Sequence, residues 1–119
     1  GDGITWPDTG ETVIGLSEED EHGFSRPTVI KDDGGYRMFY SVRLKSVQSH
    51  RAGTARSTDG KVWRREDAVL GLTPSAQGWD SQGVAFPAPI QVGDRLYVFY
   101  NGNGMGETGI GVAELVSAG

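Results

Sequence analysis

Cysteine does not occur in the 119 residues, so neither a disulfide framework nor thiolate chemistry is open to this chain. Long apolar runs are missing too: none reaches the roughly 18 residues of a membrane-spanning helix. The first residues hold no basic segment followed by an apolar one. We therefore expect no membrane association and no intact signal peptide. The expected state is soluble, with the compartment open and the cytoplasm slightly favoured, since a removed leader leaves no trace. Positive charge is scarce, with 11 Lys and Arg against 16 Asp and Glu. The net charge of −5 argues against a nucleic-acid partner, which needs a phosphate-binding surface. Two histidines, His22 and His50, are too few for a protein zinc site by themselves. No metal and no cofactor is expected.

Helical periodicity is also lacking, since no long stretch repeats its apolar residues every 3.6 positions. Apolar content of 36% is low, which implies a thin, layered core rather than one large one. Glycine is what the chain has in quantity, 19 residues of it. Together these features indicate an all-β, turn-rich chain of one domain.

One hairpin occurs twice. The first copy runs from Ser25 to Lys31, turns at Asp32 to Gly35, and returns over Tyr36 to Val42. The second runs from Ala85 to Gln91, turns at Val92 to Asp94, and returns over Arg95 to Tyr100. Pro27 and Pro87, Ile30 and Ile90, and Phe39-Tyr40 and Phe99-Tyr100 match at a spacing of about 60 residues. The arms are rich in β-branched and aromatic residues, and the turns carry Asp and Gly. The flanking segments repeat as well. Asp2 to Trp6 matches Asp59 to Trp63, Val13 to Leu16 matches Val69 to Leu72, and Ala52 to Arg56 matches Ile110 to Glu114.

The unit is thus about 57 to 60 residues with four short strands, the content of a β-propeller blade. We expect two tandem four-stranded blade units, at about residues 2–58 and 59–119. The outer strand of the first unit arrives before its blade and the last blade lacks one, so Ile4-Thr5-Trp6 is expected to complete the final blade. Two blades cannot close a ring, and each would leave an apolar face and a strand edge open. Homo-oligomerisation as a dimer or trimer is the expected remedy, or else membership of a longer chain.

Several stretches resemble five-bladed β-propeller glycoside hydrolases of the arabinanase and invertase type, and more narrowly their C-terminal two blades. They are Gly23 to Pro27, Tyr36 to Ser41, Ser57 to Trp63, Gly78 to Ser81, Tyr97 to Gly104 and Thr108 to Ala113. The resemblance implies a carbohydrate ligand. It also implies catalytic carboxylates at the start of inner strands, mostly on blades absent here. At the matching positions this chain has Ser25-Arg26 and Ala85-Phe86. Ser57 to Trp63 further resembles the Asp-box turn of sialidase propellers, one residue shorter, with a structural role.

Strand alternation gathers the long polar loops at one end: the acidic loop Ser17 to Gly23, Arg43 to Arg51, Thr73 to Gly83, and Asn101 to Thr108. A site belongs there. Asp80 and Glu21 are the candidate catalytic carboxylates. For Glu21 the favoured reading is a solvated acidic loop; Asp80, the better single candidate, also reads as a carboxylate holding loop amides. Trp79 offers a stacking face for a sugar. Arg26 either meets an acidic sugar or pairs with Glu21, and His22, Asn101 and Asn103 offer polar groups. Gly104 to Gly109 matches G-x-G-x-x-G but joins strand to strand, so no dinucleotide site is expected. Three functions follow: a carbohydrate-binding module with little or no hydrolysis, a glycosidase active once assembled, or a blade pair whose one property is assembly.

Overall fold

A computed structural model describes residues 1–47 and 49–116. It is all-β, with two antiparallel sheets. The first has the order β1-β2-β3-β4, from β1 (Glu21–Asp32), β2 (Gly35–Leu44), β3 (His50–Ser57) and β4 (Arg64–Arg65). The second has the order β5-β6-β7, from β5 (Ala85–Val92), β6 (Arg95–Asn101) and β7 (Ile110–Leu115). A helical turn, α1 (Asp67–Leu70), and a tight bend with left-handed Gly104 and Met105, α2 (Asn103–Gly106), lie in the connections.

Both expected hairpins form, each closed by two residues. Asp32 pairs with Gly35 across one turn, and the Asp32 carboxylate accepts from the Gly34 amide. Val92 pairs with Arg95 across the other, where Gly93 takes a φ of 61°. Both inner strands carry an irregularity at one matching place, between Ser25 and Thr28 and between Ala85 and Ala88. The residue inside each is left-handed without being glycine: Arg26 at 51° and Phe86 at 55°. Such backbone is costly and persists where its surroundings impose it.

Alternation along β2 buries both of its faces. Phe39 and Ser41 point towards the second sheet, where Phe39 joins Val84, Val98 and Tyr100 in one cluster, and the Phe86 amide donates to the Ser41 hydroxyl. Met38, Tyr40 and Val42 fill the opposite face with Phe24, Trp63 and Ile14. The second sheet is covered on one side only. Its outer face leaves Ile90, Phe99, Ile110 and Val112 between 44% and 71% exposed.

The N-terminal expectation is corrected. Residues 1–20 contain no strand, Ile4 and Trp6 are largely exposed, and the second sheet therefore has three strands instead of four. What does form at Asp2 is a turn, its carboxylate accepting from the Ile4 and Thr5 amides, as Asp59 accepts from Lys61 and Val62. Short-range Asx bonding fixes Asp2 to Thr5 in a turn, and Ile4 pairs with no strand, the edge of β7 included. The outer strand expected over Lys61 to Arg65 shrinks to two residues for the same reason: Asp59 holds its first half in a turn. Val69-Leu70 lie in α1, and the Asn101 to Thr108 loop contains the tight bend α2. Gln48 and residues 117–119, which fall within expected segments, lie outside the described residues.

Candidate functional site

The four long loops do meet at one end of the two sheets. They enclose a cleft of about 670 Å3 whose walls include His22, Arg43, Lys45, His50, Gly102 and Met105. Strand ends set the walls. Arg43 and His50 face one another across the β2–β3 ladder, and Ala85 starts the inner strand of the second sheet at the cleft's edge. Gly83 is fixed against the first sheet, since a Cβ there would meet the Ser49 hydroxyl at 2.5 Å, and the Val84 amide donates to the His50 carbonyl. Burial, and secondarily the Arg43 guanidinium, lower the His50 pKa, so this imidazole is neutral at pH 7.

The residues singled out from the sequence divide into two groups. His22 lines the cleft. Arg26 is exposed next to it, with its guanidinium 4.2 Å from the centre of the Phe86 ring, which in turn packs 5.2 Å from the His50 ring. Glu21 and Asp80, by contrast, do not line the cleft. Glu21 is buried at the start of β1 and takes two bonds from Arg65, at 2.8 and 2.6 Å, and further ones from the Ser17 and Glu18 amides. The expected Arg26–Glu21 pair is thereby corrected: Arg65 is better placed because it rises from β4 over the Phe24 ring, within 5.0 Å. Asp80 is buried, accepting a 3.0 Å bond from the Tyr100 hydroxyl.

Trp79, Asn101 and Asn103 tie the loops together. Trp79 stacks on Tyr100 at 5.5 Å, and its carbonyl accepts from the Asn103 amide and the Thr108 hydroxyl. The Asn103 side chain accepts from the Gln82 and Gly83 amides and donates to the Gly78 carbonyl. Asn101 donates to the Met105 carbonyl, shaping the tip of α2. These groups hold one wall of the cleft, and the Asn103 side chain spends its oxygen and one N–H on that wall.

Sequence reasoning passed over Arg43, Lys45 and His50. A signal existed: Arg43 and Lys45 stand together where the strand runs into a long polar loop. It also passed over Arg65. This residue joins Glu21 and Asp67, and Asp67 accepts a further, short bond from the Tyr40 hydroxyl. Burial, and then that carboxylate, raise the Tyr40 pKa, so the phenol stays protonated.

No family model matches the chain. Two curated proteins of Mycobacterium tuberculosis, both named as uncharacterized, are 32% identical to it over 114 residues. One comes from strain CDC 1551 / Oshkosh and the other from strain ATCC 25618 / H37Rv. The match takes in 96% of this chain but 37% of each relative, so the chain spans little more than a third of their length. Among solved structures, 87% of the chain superposes on a protein of the BT0996–RGII complex, with a TM-score of 0.65 and 19% identity. The same share superposes on a glycoside hydrolase, with a TM-score of 0.62 and 19% identity. The match spans 35% of each of those two proteins. The fold is similar to part of a glycoside hydrolase.

Proposed function

We propose that this chain is a pair of β-propeller blades forming a carbohydrate-binding module of glycoside-hydrolase type, with little or no hydrolysis by itself. The observation that carries this reading is the cleft at the loop end of a glycoside-hydrolase-like fold, whose lining contains no carboxylate among the described residues. Glycosidic cleavage calls for two carboxylates about 5 to 10 Å apart across the sugar. Glu21 is committed to Arg65 and Asp80 to Tyr100, so both serve the fold rather than a bond cleavage. Calorimetric titration of a glycan panel with parallel chromogenic glycoside assays tests the reading. Binding without turnover is expected, whereas turnover abolished by Asp80→Asn would reinstate an enzyme.

Matching details in the two sheets support blades as the repeating unit. Each inner strand has its bulge with a left-handed side-chain-bearing residue, and the Asp2 and Asp59 turns bond alike. The M. tuberculosis relatives, of which 114 residues are 37%, are about 310 residues long, enough for five units of this size. The apolar outer face of the second sheet, with the open edge of β7, is where a further blade fits. When the chain stands alone, a second or third copy takes that place. Sedimentation equilibrium at micromolar concentration should then give two or three times 12.7 kDa. A cooperatively melting monomer would contradict this assembly.

A further inference from the structure

We propose that the cleft takes a saccharide bearing a carboxylate, of the uronic acid class, with Arg43 and Lys45 receiving the acid group. This rests on the carbohydrate reading above and names its ligand. The observation behind it is how the cations are partnered. Arg37, Arg56, Arg64, Arg65 and Arg95 each face a carboxylate within 4.0 Å. At the cleft, by contrast, Arg26, Arg43, Lys45 and Arg51 have no such partner among the described residues. Lys45 donates to the Glu19 carbonyl, Arg51 to the carbonyls of His50 and Gln82, and Arg26 lies on Phe86. Lys31 and Lys61 at the opposite end also lack such a partner, but in a chain of net charge −5 four of the six cations without one stand at this end.

Asp20 meets part of the Lys45 charge, since the Ser46 bonds, and after them Lys45, lower its pKa. Asp20 is held by the amide and hydroxyl of Ser46, at 2.9 and 2.7 Å, and Glu107 folds back over Gly104. Arg43 near the end of β2 and Lys45 just beyond it both line the cleft, where an anion can meet two like charges. A guanidinium beside an ammonium suits a carboxylate. Leu44, Ala85 and Met105 add an apolar wall for sugar C–H groups, and the volume is that of an ordinary ligand pocket. A phosphate is a poorer fit, since among the described residues no long helix exists to turn its N-terminus to the cleft.

The test is calorimetry on the chain with trigalacturonate, its fully methyl-esterified form, maltotriose and citrate. Trigalacturonate should bind, with the ester and maltotriose about tenfold weaker or undetectable, and citrate failing to displace it. Arg43→Gln and Lys45→Gln should each lose about tenfold while melting like the parent, and Glu107→Gln should bind as well or better. Equal affinity for acid and ester would overturn the acidic ligand and leave the carbohydrate reading standing. Binding of citrate as tight as trigalacturonate would overturn the sugar. Failure of every saccharide would overturn both.

Discussion

Replacing Arg65 by methionine should destabilise the fold by about 3–5 kcal/mol, the usual cost of leaving one partner of a buried ion pair uncompensated. Arg65 sits between Glu21, 5% exposed, and Asp67, at 2.6 and 2.5 Å, and bonds the Ser17 hydroxyl as well. Removal strands two carboxylates near Phe24 and Tyr40 and frees the acidic loop from β4. Urea denaturation measures the loss. Adding Glu21→Gln to Arg65→Met should recover part of it, because the buried charge is then gone. No recovery would mean that the guanidinium acts through packing alone.

The same pair sets an acid dependence. The Arg65 bond, against the opposing effect of burial and with help from the Ser17 and Glu18 amides, holds the Glu21 carboxyl down at about 2, from 4.5. A carboxylate whose folded pKa is depressed stabilises fully above the unfolded value and loses that contribution as pH falls through the folded one. About 3 kcal/mol should therefore disappear between pH 4.5 and 2, at 1.36 kcal/mol per unit. In Arg65→Met this acid-sensitive part should be absent.

Gly102→Ala is expected to cost about 3 kcal/mol, the upper part of the range for forcing extra volume into a packed site. A Cβ at Gly102 would run into the Trp79 ring and come within 2.6 Å of the Trp79 carbonyl. The ring can swing away; the carbonyl cannot, since Asn103 and Thr108 bond to it. The lower denaturation midpoint should come with a changed Trp79 environment in near-ultraviolet dichroism. A midpoint within error of the parent would mean that the two loops are not clamped as described.

Much of this architecture was legible because it is local. Stretches rich in β-branched and aromatic residues over Tyr36 to Val42 and Leu96 to Tyr100, with turns carrying Asp and Gly between strands, specify hairpins from neighbouring residues alone. The doubled pattern likewise located the loop end. What escaped depends on geometry between segments distant in sequence. Arg65 meets Glu21 across 44 positions, and nothing near either residue announces the other. Ile4 to Trp6 has a strand-like pattern, but the Asp2 turn holds its first half, and nothing local in the sequence brings it to the edge of β7. The carboxylates drew attention as chemistry, yet both are used as anchors. Arg43 and Lys45, inconspicuous in sequence, reach the cleft because β2 ends there.

The central claim is that ligand enters the cleft between the β2–β3, β4–β5 and β6–β7 connections. Amide chemical-shift mapping of the isotopically labelled chain during titration with trigalacturonate tests it most directly. The account predicts saturable shifts at Lys45, His50, Gly83, Gly102 and Gly104, with Asp59 and Gly60 at the opposite end unmoved. Shifts centred on the Asp59 turn, or on Glu21 and Asp80 without the cleft residues, would contradict it.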